Sequence, residues 1–492
     1  MLSGTALVAG RRCMATAARH RRLLWLSSSS LTGTQHRHQQ QQLSSCRLPA
    51  HPPSDELRRR HEAVAHNVPP QSIVIVPSAP TVLMTNDIPY RFRQNSNFFY
   101  LTGLARETPA AFILITSEAQ QIERTILVTK QQSASDRLWN GARMTAEEAA
   151  SRCGPAVEPA YADQLEHVLG SRYARQYTPV VSSTQQHDGS FLTSILKHVP
   201  SDKTLPASRP IDRARLLKSA HEVEMMQASA SIASQGFRVT MGTAHVGQNE
   251  HAIDAHLENA FRQQGASMHA YPPVVAGGSN ALTLHYVENS MPVGTDDHDL
   301  VLVDAGCEYG LYCSDITRCW PVGGRFSAAQ ADVYNAVLRV QLKCLDALDT
   351  RTVTSLQDLH HNVFMPALEV EALQLGLLSH ASPKAARATI LRDLCPHAIG
   401  HYIGLDVHDT RTVPMAQSFE DGMVVTVEPG MYVPQDARFP ERYRGIGVRI
   451  EDDVALVNGR STVLSRHCPK TITDVEAALN SPSTASTTST TS

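Results

Sequence analysis

Four carboxylates stand beside apolar stretches that are typical of β-strands. "LVLVDAG" (300–306) contains Asp304, and Asp315 follows eleven positions later. "VVTVEPG" (424–430) contains Glu428, and "GVRIEDD" (447–453) contains Glu451. Carboxylates are rarely buried without a partner, because desolvation disfavours their charged form. The four acids therefore need cations if these strands carry them into the protein interior.

The cations could come from two sources. Each acid could pair with its own Arg or Lys in a separate place, although few basic residues besides Arg318 and Arg449 lie in these stretches. Alternatively, the four acids could share one site, where their mutual repulsion would be severe without metal ions. One divalent ion would leave two negative charges, whereas two divalent ions balance four carboxylates. The shared arrangement therefore predicts a site for two divalent metal ions.

Histidines lie between the two pairs of acids. "CPHAIGHYIGLDVHD" (395–409) contains His397, His401 and His408, and "LTLHYVEN" farther upstream contains His285. The proline and glycines of the first segment favour a loop over a helix. A lone histidine is more often a packed or surface residue than a ligand, but three within twelve residues favour a functional site. Carboxylates with one neutral imidazole, from His401, suit Mn, Co, Fe or Zn.

The elements around these residues predict an α+β fold in two domains. Residues 55–205 are predicted to form an α/β domain in which "SIVIVPS" and "AAFILITS" are buried strands. "LPASRP" at 205–210 has linker composition, and residues 211–475 are predicted to form a domain with a curved, largely antiparallel sheet. Its first helix is predicted over 213–237, and Ser327 with Gln330 predicts the capping box of another helix. The hairpin between Asp304 and Asp315 is expected to turn at 308–310.

The two ends of the chain differ in composition from its body. Residues 1–54 contain seven Arg and no acid, which is typical of a mitochondrial transit peptide; the alternative is a disordered basic extension. Residues 476–492 form a Ser/Thr-rich tail that is expected to be disordered.

The body of the chain is acidic. Because the formal net charge of the whole chain is -3 and the leader contributes seven positive charges, the remainder is about -10. This charge argues against nucleic acid as a main partner. No apolar run reaches the roughly 18 residues that a membrane span needs. Nine Cys without a CxxC motif indicate free thiols in a reducing compartment.

Several segments in order resemble one enzyme family. "LVLVDAGCEYGLYCSDITRCWPVGGRFSAAQ", "HAIGHYIGLDVHD", "VVTVEPGMY" and "GIGVRIEDDV" together resemble the pita-bread metallopeptidases, specifically aminopeptidase P (Xaa-Pro aminopeptidase). "YRFRQNSNFFYLTGL" (90–104) and "LWNGARMTAEEA" (138–149) resemble the amino-terminal domain of that family. The resemblance covers roughly residues 65–475 and, with the basic leader, is closest to the mitochondrial form. It implies a pita-bread catalytic domain preceded by a smaller α/β domain.

The resemblance also implies an activity and its cofactors. The enzyme would release the first residue from peptides whose second residue is proline. It would bind two divalent metal ions, with manganese expected, through Asp304, Asp315, His401, Glu428 and Glu451. Asp315 would chelate one metal and His401 would bind the other, while the remaining acids complete or bridge the pair. Two close metals would lower the pKa of a shared water to give hydroxide near neutral pH.

Further residues receive catalytic roles from the same resemblance. Glu428 would shuttle a proton as well as bind metal. His285, His397 and His408 would hydrogen-bond the substrate carbonyl, the tetrahedral oxyanion and the proline side of the pocket. Arg449 would support a metal ligand by hydrogen bonding.

The resemblance implies partners too. The substrates would be peptides that begin with Xaa-Pro. Trp139 matches a family tryptophan that can reach the cleft of a neighbouring subunit, so a homo-oligomer, expected to be a dimer, is predicted.

Two other functions stay open. A prolidase has the same fold and ligands but cleaves only Xaa-Pro dipeptides, and motif detail discriminates poorly between the two activities. Some pita-bread domains have lost the metal and bind peptides or proteins instead. Such modules usually lack several ligands, whereas all five are present in this chain.

Overall fold

The computed structural model describes residues 51–165, 176–182, 189–197, 204–294 and 299–481. The predicted leader, except for its last residues, and the chain beyond 481 lie outside this range. Among the described helices, none is both long and apolar enough to cross a membrane. The described cysteines are buried free thiols: Cys153, Cys307, Cys313, Cys319, Cys344, Cys395 and Cys468.

A mixed sheet with flanking helices forms the amino-terminal domain. Its strands are β1 (Ser72–Pro77), β2 (Leu83–Thr85), β3 (Ile88–Pro89), β4 (Ala110–Thr116), β5 (Ile122–Thr129), β6 (Val157–Tyr161), β7 (Thr178–Val181) and β8 (Leu205–Pro206). Its helices are α1 (Ser54–Asn67), α2 (Ser96–Thr102), α3 (Ala134–Asn140), α4 (Ala146–Cys153) and α5 (Gly189–Leu196). The sheet order is β6-β5-β4-β1-β7-β8, and β2 pairs with β3 alone. β1 and β4 are buried along their whole length, as strands with continuous apolar runs should be when both faces are covered.

Antiparallel strands and longer helices form the second domain. Its strands are β9 (Gln248–Asn249), β10 (Met268–His269), β11 (Val274–Gly277), β12 (Pro292–Val293), β13 (Leu300–Ala305), β14 (Cys307–Tyr309), β15 (Tyr312–Cys313), β16 (Ile316–Pro321), β17 (Val424–Val427), β18 (Gly430–Tyr432), β19 (Gly447–Arg449), β20 (Asp452–Val457) and β21 (Arg460–Val463). Its helices are α6 (Ser208–Leu216), α7 (Ala220–Met241), α8 (Glu250–Gln263), α9 (Ala328–Asp349), α10 (Leu356–Asp358), a π-helical stretch (Leu359–Phe364), α11 (Met365–Gln374), α12 (Lys384–Leu394) and α13 (Ile472–Leu479).

The strands of this domain pair as the sequence predicts. The three-stranded sheets β11-β13-β16 and β17-β20-β21 are antiparallel, as is the β18-β19 pair. Ser327 and Gln330 form the predicted capping box at the start of α9, whose apolar face belongs to the same buried core as β13 and β17. The α+β prediction is therefore confirmed, with a mixed amino-terminal sheet and an antiparallel second domain.

The single helix predicted over 213–237 is wrong. α6 ends at Leu216, Leu217 adopts an extended conformation, and α7 begins at Ala220. Ser219 and Glu222 form a capping box at the start of α7, and this signal was missed because apolar spacing continues across the break. The prediction of a tail from 476 also needs correction, because α13 continues to Leu479.

The hairpin turn lies later than predicted and overlaps the predicted residues 308–310 only at Gly310. Glu308 belongs to β14 and pairs with Cys313 of β15, so the turn residues are Gly310 and Leu311. Both have positive φ, 58° and 67°, which is the backbone conformation of a tight two-residue hairpin. Glu308 is therefore a strand residue with a fixed side-chain direction.

Candidate metal centre

Four strand ends bring the predicted acidic ligands together. Asp304 lies near the end of β13, opposite Thr317 of β16, and Asp315 immediately precedes β16. Glu428 follows directly after β17. The strand-like stretch "GVRIEDD" (447–453) is interrupted, because β19 ends at Arg449 and β20 begins at Asp452. Glu451 lies in this interruption, where its backbone N–H donates to the Thr317 carbonyl at 3.1 Å.

His401 completes the group. One ligand atom each from Asp315, His401 and Glu451 lies within 4.8 Å of the others. His401 Nε2 is 3.4 Å from Asp315 Oδ2 and 3.6 Å from Glu428 Oε1. Asp304 joins them through Tyr271, whose hydroxyl is 2.5 Å from Asp304 Oδ1 and also contacts Asp315 Oδ1. The structure thus brings the five predicted ligands into one site.

The buried acids of the site need cations to balance their negative charges. Burial raises the pKa of Glu451 well above its usual value, and the neighbouring acids raise it further. Burial likewise raises the pKa of Glu428 to about 7 and raises that of Asp304, despite the charge of Arg449. Crowded buried acids with one imidazole are a donor set that suits two divalent ions, which would relieve this repulsion.

The proton arrangement of the metal-free site follows from the same contacts. Although burial opposes both charges, the hydrogen bond between Asp315 and His401 lowers the pKa of Asp315 and raises that of His401 to about 9. A metal ion that binds His401 would have to displace the proton that this raised pKa favours.

Arg449 is buried directly behind the acids. Its Nη2 donates to Asp304 Oδ2 at 2.6 Å, and its Nε donates to Thr317 Oγ1 at 3.0 Å. The Thr317 hydroxyl in turn donates to Glu451 Oε2 at 2.6 Å. Arg449 Nη1 donates to the Tyr432 hydroxyl at 2.7 Å. One guanidinium therefore fixes two of the acidic ligands, one directly and one through Thr317.

The three other predicted histidines occupy different positions around the ligands. His397 Nε2 lies 3.0 Å from the Tyr432 hydroxyl and its Nδ1 lies 2.8 Å from the Ala398 carbonyl; burial and then Arg449 lower its pKa to about 4. The exposed His408 ring stands edge-on to His401, with ring centroids 4.6 Å apart. His285 is exposed, and burial lowers the pKa of the nearby His408.

Sequence reasoning missed Tyr271, Thr317 and Tyr432 as parts of the site. Asp453 was also missed: it accepts hydrogen bonds from the backbone N–H of Asp315 at 3.1 and 3.3 Å. Tyr432 ends the quoted segment "VVTVEPGMY", so its position was available in the sequence. Tyr271 follows no recognisable strand pattern, and its role emerges only from the folded geometry.

Two family models match the chain. The model of metallopeptidase family M24 matches residues 224–458, and that of the aminopeptidase P N-terminal domain matches residues 57–181.

Named relatives and a solved structure agree with these models. The chain is 38% identical to human Xaa-Pro aminopeptidase 3, over 82% of this chain and 80% of that protein. It is 33% identical to the mitochondrial intermediate cleaving peptidase 55 of Arabidopsis thaliana, over 87% of this chain and 83% of that protein. The structure of zinc-substituted aminopeptidase P from E. coli in complex with product matches with a TM-score of 0.77 and 28% identity, over 87% of this chain and 98% of that one. The chain therefore belongs to metallopeptidase family M24 and, through its amino-terminal domain, to the aminopeptidase P group of pita-bread, metal-dependent aminopeptidases.

Proposed function

We propose that this protein removes the N-terminal residue from peptides whose second residue is proline. The convergence of Asp315, His401 and Glu451 ligand atoms within 4.8 Å carries the metal-dependent part of the proposal. The Xaa-Pro specificity is supported by the name of the human relative. A peptide bond to proline is a tertiary amide without an N–H, so its recognition depends on groups that contact the carbonyl and the ring.

The proposed roles of the side chains follow from their contacts. Asp304, Asp315, His401, Glu428 and Glu451 would hold two divalent ions. When bound, such a pair supplies an acidified water as nucleophile and stabilises negative charge on the carbonyl oxygen. Glu428, which is partly accessible, would move the proton from the water to the leaving nitrogen. Arg449 keeps Asp304 oriented throughout.

The histidines outside the ligand set would act on the substrate. His397 and His408 lie on either side of His401 in the chain, and the His408 ring stands edge-on to the His401 ring. Hydrogen-bond donors at these positions would stabilise the oxyanion and hold the proline side of the substrate. His397 would have to exchange one of its contacts, to Tyr432 or to Ala398, for a substrate atom.

We infer that the ions are manganese. Four carboxylates and one imidazole form an oxygen-rich donor set, which favours manganese over softer ions that prefer nitrogen and sulfur. Zinc enters the E. coli relative on substitution. Metal analysis of the purified protein, together with activity after removal and return of each ion, would test the assignment.

A comparison of two substrates tests the activity. Protein lacking residues 1–54 should cleave an Xaa-Pro-Xaa tripeptide in the presence of manganese and lose this activity when the metal is removed. Cleavage confined to the Xaa-Pro dipeptide would identify a prolidase instead. Absence of cleavage with full metal content would favour a binding module.

We propose that two copies associate. Leu138 and Trp139 on α3 are each 81% exposed, and such an apolar pair is typical of an interface. Light scattering should therefore give the mass of a dimer. Trp139→Ala should shift the protein toward monomer, whereas Trp139→Phe should retain the dimer.

We also propose a mitochondrial location. The support is the Arg-rich, acid-free leader together with the mitochondrial name of the Arabidopsis relative.

A further inference from the structure

The Arg93 side chain, in the amino-terminal domain, contacts two segments of the second domain. One is the hairpin that carries Asp304 and Asp315, and the other is the loop that carries His401 and His408. Its Nε donates to Glu308 Oε1 at 2.5 Å. Its Nη2 donates to the Leu405 carbonyl at 2.6 Å, and its Nη1 donates to the Ser96 hydroxyl at 2.9 Å. One guanidinium therefore contacts a side chain and a backbone carbonyl that are separated by almost one hundred residues of sequence.

The first contact holds the hairpin of Asp304 and Asp315. Glu308 lies in β14, between these two ligands, and its side chain is 1% exposed. Burial raises the pKa of Glu308, and the adjacent Arg93 opposes this rise. Removing the charged partner of a buried carboxylate strongly destabilises the folded protein. This pair therefore ties the hairpin to the amino-terminal domain.

The second contact holds the loop of His401 and His408. Leu405 lies between these two histidines, in a segment without a helix or a ladder of strand hydrogen bonds apart from one bridge between Tyr402 and Val425. The position of such a loop depends on individual hydrogen bonds to its backbone and side chains. The bond from Arg93 to the Leu405 carbonyl is one of these.

Neighbouring polar groups hold the same loop from the same side. The Ser96 hydroxyl donates to Asp406 Oδ1 at 2.5 Å, and Arg215 Nη2 donates to Asp406 Oδ2 at 2.8 Å. Lys218 Nζ donates to Asp409 Oδ2 at 3.0 Å. Among these groups, Arg93 is distinctive because it also contacts the hairpin that carries the acidic ligands.

We propose that Arg93 is a positioning residue that, alongside the direct hydrogen bond from the Cys313 backbone N–H to the Gly404 carbonyl at 2.8 Å, fixes how the acidic hairpin and the His401 loop lie against each other, and thereby sets the affinity of the metal site. The planar fork of arginine directs separate N–H groups toward Glu308 and Leu405, whereas the single ammonium of a lysine cannot hold both positions. The amino-terminal domain thus contributes to the metal site without supplying a ligand. This inference rests on the proposed metal site.

Arg60 provides a matched control. It also belongs to the amino-terminal domain, its side chain is 2% exposed, and its Nη2 donates to the Tyr312 hydroxyl of β15 at 3.0 Å. Its other hydrogen bonds go to Glu56 and to the Tyr100 carbonyl. Arg60 also forms an ion pair with Glu222 of α7 at 3.6 Å. Arg60 therefore contacts the hairpin but not the His401 loop, whereas Arg93 contacts both.

The experiment compares Arg93→Lys with Arg60→Lys in otherwise unchanged protein. Manganese affinity is measured by competition with a chelator, and Tm is measured on the metal-free proteins. Arg93→Lys should weaken manganese binding roughly 10- to 100-fold, the usual effect of groups that orient metal ligands. It should also lower kcat at saturating manganese more than it raises KM. Arg60→Lys should lower Tm and leave manganese affinity within about twofold of the wild type, because it removes stability without separating the two segments.

Two results would overturn the proposal. One is wild-type manganese affinity in Arg93→Lys despite a lowered Tm, and the other is an equal loss of affinity in both variants. If Arg93→Lys does not fold, manganese affinity is measured on the double variant Arg93→Gln/Glu308→Gln instead. This variant removes both charges of the pair, so no buried charge is left unpaired. Protein that binds manganese but does not cleave Xaa-Pro peptides would contradict the proposed specificity, while the affinity ratio would still decide the role of Arg93.

Discussion

The Tyr271 hydroxyl donates a hydrogen bond of 2.5 Å to Asp304 Oδ1. The same hydroxyl contacts Asp315 Oδ1, so one phenol links the two acids of the first hairpin. Burial and then the neighbouring carboxylates raise the pKa of Tyr271 well above 10, which keeps the phenol neutral and able to donate. Because a phenol has one proton, it can satisfy only one carboxylate at a time, and the other is left for a metal ion.

Tyr271→Phe should therefore weaken metal binding without unfolding the protein. The substitution removes one hydroxyl and keeps the ring, so we expect a loss of manganese affinity of roughly 10- to 100-fold. Isothermal titration calorimetry checks the affinity, and circular dichroism checks the fold. Tyr402→Phe is the control, because the Tyr402 hydroxyl makes a 3.3 Å contact with the Pro414 carbonyl, away from the acids. Equal affinities in the two variants would contradict the role of Tyr271.

Asp315→Asn should abolish nearly all activity and leave the fold largely intact. The change preserves the volume of the side chain and removes the charge that pairs with His401 and that would bind metal in the proposed site. Metal content should fall from close to two ions per chain, and turnover should fall with it. Asp421→Asn, at an exposed residue paired with Arg351, should leave both unchanged. Full metal content in Asp315→Asn would show that this acid is not a ligand.

The convergence of the proposed ligands could be predicted from the sequence because strands fix the direction of side chains. Asp304 and Glu428 each end an apolar strand, and such an abrupt change from apolar to charged residues is visible without a structure. The resemblance to a family then ordered the five ligands. The structure adds the position of Glu451, which lies between the end of β19 and the start of β20 and so meets the other side chains.

The remaining contacts join residues that are far apart in the sequence, so no local sequence pattern predicts them. Glu308 was predicted to be a turn residue, because a charged residue beside Tyr309 and Gly310 is typical of turns. Its place in β14 is set by backbone pairing with Cys313 of β15, and its side chain accepts a hydrogen bond from Arg93, more than two hundred residues earlier. The break after Leu216 is similar, because apolar spacing continued through it and only the Ser219 cap indicated a new helix.

Metal affinity should rise as the pH increases through about 7 and on toward about 9. In the metal-free protein, the pKa of His401 is raised to about 9, mainly by Asp315 acting against burial, and burial raises that of Glu428 to about 7. Below these values both groups carry a proton that metal binding must displace, so binding at neutral pH should release protons. Calorimetry at pH 7 in buffers with different ionisation enthalpies measures this release. A binding enthalpy that is independent of the buffer would contradict it.

Residues 1–60 should direct a fused reporter to mitochondria and should be cleaved there. The expectation rests on seven arginines and no acid before Asp55, since a positively charged segment without acids is drawn toward the negative side of the inner membrane. Microscopy with a mitochondrial dye and the size of the reporter on a gel provide the two measurements. Replacing the seven arginines with glutamine is the control and should abolish import. A diffuse signal from the unmodified fusion would exclude the transit function.

The four histidines should separate into one ligand and three residues that act on substrate. His401→Ala should lose metal as well as activity, because the Nε2 atom of His401 lies among the carboxylates. His285→Ala, His397→Ala and His408→Ala should retain both metals and lose about 10²- to 10³-fold in turnover, the usual effect of removing a donor to an oxyanion.

The competing interpretation is that His397 and His408 only pack the Gly-rich loop. His397 contacts Tyr432 and the Ala398 carbonyl, so its removal would then lower Tm and leave the turnover of the folded fraction near normal. Metal content, Tm and turnover measured on the same variants distinguish the two interpretations. The exposed His380, replaced by alanine, shows the effect of losing a surface imidazole. Near-normal turnover with full metal content in His397→Ala would remove that residue from the catalytic group, because a donor to the transition state must alter turnover when it is lost.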